Sequence, residues 1–104
     1  MSYTLYNRRG SGGFAVEVAL TLAGQPFELV TIESQPSTPL PESFREINPW
    51  GQVPVLVLPD GSKMTETGAI LIYIATRYPG VDVGPQPGTP AAAQLMRWIV
   101  FLSA

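Results

Sequence analysis

Two strand-like runs, residues 55–58 (VLVL) and Lys63–Thr65 (KMT), are joined by Pro59-Asp60-Gly61. This hairpin signal forces the two runs to lie antiparallel, and it constrains the fold more than any other feature. Upstream the pattern is different. Tyr3–Asn7 (YTLYN) reads as a strand, and residues 14–23 as a helix on which Phe14, Val18 and Leu22 recur at i, i+4 and i+8, stopped by Gly24. Residues 27–32 (FELVTI) read as a second strand, and a strand-helix-strand crossover makes parallel neighbours. One chain carrying both connections builds a mixed sheet.

The other elements fill in around that frame. A Pro- and Ser-rich connection (SQPSTPLP) leads to a short helix over Glu42–Ile47, with Phe44 and Ile47 on one face. A longer helix over 67–78 places Ile70, Tyr73, Ile74 and Arg77 at helical spacing, reads as core along Ile70, Tyr73 and Ile74, and ends at Pro79-Gly80. The order is βαβ, then α, then ββα: an α/β domain over residues 1–79. Residues 80–90 have the composition of a linker. Residues 91–104 then form a helix rich in Leu95, Trp98, Ile99, Phe101 and Leu102, too apolar for a solvated tail. It reads as the first helix of a second domain, and its apolar side chains need cover, either by folding back or from another chain.

Composition excludes several chemistries. The chain has no cysteine and no histidine, which removes disulfides, a thiolate nucleophile of its own and the usual zinc ligands; no metal is expected. A net charge of −2, with Arg8-Arg9 as the only adjacent basic pair, makes nucleic acid a poor partner. No apolar run approaches the length of a membrane span, so the expectation is a cytoplasmic protein.

Gly10, Gly12 and Ala15 have the G-x-G-x-x-A spacing of a dinucleotide turn, with Glu33 close to the position of a ribose-binding acid. Asn7, Arg8 and Arg9 separate the strand from the first glycine, where that turn is normally tight, and a hairpin replaces the further alternation a nucleotide fold requires. The dinucleotide reading is therefore set aside. What remains is general: Ser11-Gly12-Gly13 precedes a helix, where free N–H groups and the positive dipole end favour an anion, and where Ser11 could equally be a plain N-cap.

The stretch Asn48-Pro-Trp-Gly-Gln-Val-Pro-Val-Leu, followed after the hairpin by Glu66, Thr67 and Ala-Ile-x-x-Tyr, carries a specific resemblance. The segment from Tyr3 to Pro79 resembles the N-terminal, thioredoxin-fold domain of cytosolic-type glutathione S-transferases, and residues 91–102 (AAAQLMRWIVFL) resemble the opening helix of their all-helical second domain. The resemblance implies a thioredoxin-like, four-stranded mixed sheet and a homodimer. It also implies glutathione as co-substrate, whose thiol attacks a hydrophobic electrophile.

Site roles follow from the same resemblance. A cis peptide bond before Pro54 turns the Val53 backbone outward to pair with an extended peptide; read by itself, Pro54 is equally an edge-strand proline. Thr67 and the N–H groups around it suit the γ-glutamyl carboxylate, and Glu66 suits the ammonium, although capping and a solvated acid would explain both. Gln52 is a further backbone-binding candidate; Trp50 and Arg45 are weaker ones. The catalytic hydroxyl is Ser11, with Tyr6 on the first strand as the alternative. Together with the helix N-terminus it must bring a thiol of pKa ~8.5 down by about two units, about 2.7 kcal/mol of differential stabilisation. Gly13 stands where many serine-type members carry a polar side chain. The electrophile site of such proteins is built largely by the second domain, so this chain need not turn over alone. A non-catalytic thioredoxin-fold binding or assembly domain and a glutathione-dependent isomerase or reductase stay open as alternatives.

Overall fold

The computed structural model describes residues 2–32, 42–80 and 83–103. The Pro/Ser-rich connection and Glu33 lie outside the described residues. Strands β1 (Tyr3–Asn7), β2 (Phe27–Thr31), β3 (Val55–Val57) and β4 (Lys63–Thr65) form one sheet in the order β2-β1-β3-β4. β1 pairs parallel with β2, Leu5 opposite Leu29, and antiparallel with β3, Leu5 opposite Leu56; β3 pairs antiparallel with β4. The mixed sheet follows from the crossover and the hairpin. At the hairpin tip, Gly61 takes φ 91° and Asp60 Oδ1 accepts from the Ser62 N–H at 2.9 Å.

Helices α1 (Gly13–Leu22) and α3 (Thr67–Arg77) cover one face and α2 (Glu42–Ile47) the other. The core on the first face is Tyr3, Leu5, Val16, Leu20, Leu56, Ile70 and Ile74, with Tyr73 packed against it. Ile70, Tyr73 and Ile74 are thus core, as expected. The α1 stripe is not. Phe14, Val18 and Leu22 are 67%, 41% and 52% exposed, while Gly13, Val16 and Leu20 are buried. α1 is apolar on nearly every side, so a period-3.6 pattern fits more than one face; the buried face is the one that starts at Gly13, where a side chain would collide with Asn7 of β1.

Gly80 and Gly84 form an antiparallel bridge, with N···O distances of 2.8 and 3.0 Å. A Cβ on Gly84 would lie 3.1 Å from Ala75 and 3.2 Å from Leu95, so Gly84 packs between α3 and the last helix. That helix, α4 (Pro90–Ser103), starts with Thr89 Oγ1 accepting from the Ala92 N–H at 3.2 Å. It lies against α3 through Ala92, Leu95 and Ile99. Its other face stays open: Trp98, Val100, Phe101 and Leu102 are all exposed. Folding back covers part of the apolar helix, not all of it.

Candidate functional site

The elements converge where β1 ends, α1 begins and β4 turns into α3. Asn48 builds one wall. Its buried side chain donates from Nδ2 to the Gln52 carbonyl at 2.9 Å and accepts from the Trp50 N–H at 3.2 Å, while its carbonyl accepts from the Gly51 N–H at 2.8 Å. This loop delivers the cis Val53-Pro54 bond, Pro54 being buried and Val53 half-buried. Pro54 is no ordinary edge proline. Gln52 is exposed, as are Arg45 and Trp50, Trp50 at 85%.

The second wall is the head of α3. Glu66, the N-cap, adopts φ 72°, ψ 112°. A non-glycine residue there costs about 1–3 kcal/mol and persists only where surrounding structure enforces it. Thr67 follows, and a Cβ on Gly12 would lie 2.6 Å from Thr67 Oγ1. The loop before α1 and the head of α3 are therefore in near contact, and the glycine permits it. Two clefts meet at Thr67. One, about 600 Å³, runs from Gly12 and Ala15 past Leu71 to Trp98 and Leu102 of α4 and is mostly apolar. The other, about 320 Å³, is lined by Glu66, Thr67, Gly68, Val100 and Ser103.

Ser11 does not cap α1. The N-cap is Gly12, which makes no side-chain capping bond. The Ser11 hydroxyl turns back to the strand, facing Asn7 Oδ1 and, at 2.7 Å, the Arg8 carbonyl. Tyr6 is on the opposite face of the sheet from α1, its ring 6.0 Å from that of Phe44. Thr67 and Gly12 come together; Ser11 lies one residue away with its hydroxyl occupied. Sequence reasoning passed over Asn7, which is 6% exposed and donates from Nδ2 to Glu17 Oε2 at 3.2 Å. It also passed over the α4 residues lining the apolar cleft. Gly13 was the available signal for Asn7: a Cβ there would overlap the Asn7 amide.

A family model described as "Glutathione S-transferase, N-terminal domain" matches residues 1–76. The chain belongs to the glutathione S-transferase family. Among its relatives, glutathione S-transferase GST-4.5 of Xanthomonas campestris pv. campestris is 33% identical over 100 residues, 96% of this chain and 48% of that protein. Glutathione S-transferase GstA of Escherichia coli O157:H7 is 26% identical over 100 residues, 95% and 50% respectively. The chain spans about half the length of the curated relatives it matches. Among solved structures, a glutathione transferase homolog from Sulfitobacter with bound glutathione superposes with TM-score 0.80 at 33% identity, covering 99% of this chain and 49% of that one. A glutathione transferase from Methylococcus capsulatus gives TM-score 0.83 at 33% identity, covering 98% and 51%. The thioredoxin-like fold of the glutathione S-transferase N-terminal domain is thereby established for this chain. Among the described residues, no cluster of acidic side chains could hold a metal, and no helix is long and apolar enough to cross a membrane.

Proposed function

We propose that this chain binds glutathione as an extended peptide, with Val53 pairing to its backbone and Thr67 and Glu66 holding the γ-glutamyl end. In the whole protein the bound thiol would attack a hydrophobic electrophile. The observation that carries the reading is the cis Val53-Pro54 bond ahead of β3 beside the head of α3, where Glu66 takes φ 72° and Thr67 follows. One offers a strand edge to a peptide and the other offers N–H groups and a hydroxyl to a carboxylate. Gln52 adds a polar side chain beside the same edge. The Sulfitobacter homolog's bound glutathione supports the ligand assignment.

In the reaction the thiolate sulfur forms a bond to the electrophilic carbon. A leaving group departs with the electron pair, and the thiol proton goes to solvent. Ser11 is the proposed activating hydroxyl and Tyr6 the alternative; the packing of Tyr6 against Phe44, across the sheet from α1, favours Ser11. The apolar cleft between Gly12 and α4 is the proposed place for the electrophile. In this reading residues 91–104 open an all-helical domain, residues 80–90 join it to the first, and the whole protein is a cytoplasmic homodimer. The exposed apolar faces of α1 and α4 support further cover of that kind.

One observation favours a second reading. The residue next to the cleft at the start of α1 is Gly12, and the neighbouring serine hydroxyl is already bonded. A binding or assembly domain that kept the scaffold without the reaction has this appearance; an isomerase or reductase would need the same bound thiolate as a transferase. Titration with glutathione while following backbone amides separates these cases from a plain anion site. Shifts at Val53 and Thr67 are expected, with Thr67→Val weakening binding about tenfold, the worth of one charge-assisted hydrogen bond. Shifts confined to Arg8 and Arg9 would replace the proposal with an unspecific anion site. Turnover of a chromogenic electrophile by the full-length protein separates transferase from binder.

A further inference from the structure

We infer that Asn7, oriented by Glu17, is a positioning residue that competes with the ligand's sulfur for the single hydroxyl proton of Ser11. The inference rests on the glutathione-binding reading above.

Asn7 sits at the end of β1 on the core face, 6% exposed, and both ends of its amide are used. Nδ2 donates to Glu17 Oε2 at 3.2 Å. Reversing the amide would set its carbonyl against the Glu17 carboxylate, acceptor facing acceptor, so the orientation is fixed. Oδ1 therefore faces Ser11, and because a carbonyl has no proton, the hydroxyl must be the donor. Gly13 closes the arrangement: it leaves room for the amide where any side chain would collide with it. The Asn7 backbone is held as well, its carbonyl accepting from the Ile32 N–H at 2.7 Å.

A serine hydroxyl has one proton. Here it already has two acceptors, Asn7 Oδ1 and the Arg8 carbonyl at 2.7 Å. A thiolate drawing on the same proton is a third, so the Ser11–sulfur bond forms only as the hold of Asn7 and of the Arg8 carbonyl on that proton weakens. A serine without Asn7 behind it has one competitor fewer and is the stronger donor. Charged side chains on the surrounding elements are Glu17 on α1, Arg8 and Arg9 in the loop and Glu66 at the head of α3. Their fields reach the sulfur with or without the Ser11 hydroxyl, so a Ser11→Ala background subtracts them.

The experiment follows the thiolate absorbance of glutathione against pH in the presence of the chain, for wild type, Asn7→Leu, Ser11→Ala and the double variant. Asn7→Leu is expected to move the bound thiol's midpoint down by about one pH unit, the scale of one hydrogen bond to a charged group. The Ser11→Ala background is expected to abolish that difference. An unmoved midpoint in folded Asn7→Leu protein overturns the inference, as does an equal move without Ser11. If Asn7→Leu fails to fold, Glu17→Gln takes its place, since it keeps the buried amide and frees its orientation. A smaller downward move that needs Ser11 then upholds the inference, and a move independent of Ser11 overturns it. Should the chain not bind glutathione, the proposed function fails and the competition is read by proton NMR of the unliganded chain. Slow exchange of the Ser11 hydroxyl proton, made fast by Glu17→Gln, upholds the hold on that proton; fast exchange in wild type overturns it.

Discussion

β1 has a buried polar side chain at each end, both on the core face, and the two behave differently. At one end Tyr3 meets two other phenols, with Tyr78 Oη at 2.5 Å and Tyr73 Oη at 3.5 Å. The Tyr78 ring stands edge-on at 6.5 Å, with the Arg77 guanidinium 5.0 Å from its centre. Every phenol can donate and accept, so Tyr3 is served from both sides and ties β1 to α3. At the other end Asn7 has a donor side and an acceptor side, and its hydrogen bonds run from Glu17 to a hydroxyl in the loop beside the candidate site. The phenols lie away from the candidate site and serve stability. The directed amide passes its state to whatever binds beside Ser11.

The largest effect that would sharpen this contrast is expected from Gly13→Ala at the Asn7 end. The new Cβ overlaps the amide, so the loop or α1 must move; a loss of about 3 kcal/mol in denaturant unfolding is expected, together with weakened glutathione retention. At the other end Tyr3→Phe is expected to cost about 1–2 kcal/mol, from the two phenols left short of a partner, and to leave glutathione retention unchanged. If retention falls, the two ends are coupled and the contrast is broken.

Tyr3 also predicts a pH response. Burial, then the hydrogen bonds to Tyr73 and Tyr78, push its phenol well above the ordinary tyrosine range. The folded state therefore holds this proton more tightly than the unfolded chain. Its contribution is complete below about pH 10, the unfolded value, and declines as pH rises beyond that. Alkaline unfolding that is equally steep in Tyr3→Phe would contradict this.

Ser11→Ala is expected to raise the bound thiol's midpoint by about one pH unit, and Tyr6→Phe by less; the reverse ranking moves the activating role to the strand. The smallest effect belongs to the hairpin. The Ser62 hydroxyl and N–H hold the Asp60 carboxyl below its usual range, so its contribution is present above the ordinary carboxylate value and lost as pH falls through the lowered one. Ser62→Ala should return the Asp60 carboxyl titration, followed by NMR, toward its usual position with no resolvable loss of fold, as befits an exposed group.

Much of the fold was legible because turn chemistry and strand patterning are local: Pro59-Asp60-Gly61 fixed the hairpin, and Pro79-Gly80 ended α3. The face of α1 was not legible. Phe14, Val18 and Leu22 offer as good a stripe as Val16 and Leu20, and only Gly13, where a side chain would collide with Asn7 of β1, separates them. Within the site, the Val53-Pro54 bond is cis, as the motif implied, whereas the near contact of Thr67 with the glycine loop had no signal in the sequence. The plain reading of Ser11 as a helix cap fails, because the helix starts two residues later and a buried amide claims the hydroxyl. That amide comes from Asn7, a lone asparagine at a strand end, whose meaning appears only when Glu17 and Gly13 are brought beside it.

The position of β1 at the centre of the sheet also governs how the chain is made. Its first partner, β2, follows one helix later, but Thr4 pairs with Val57 on the other side, and half the chain lies between them. At ~5–20 residues per second, roughly three to ten seconds of synthesis separate the two. During that interval a nascent β1-α1-β2 unit presents the unpaired, five-residue edge of β1 in the crowded space at the ribosome exit, the kind of edge that pairs with other chains. A strand made well before its second partner is thus enclosed late, and prompt arrival of the hairpin, or a chaperone that shields the edge until it comes, protects the growing chain.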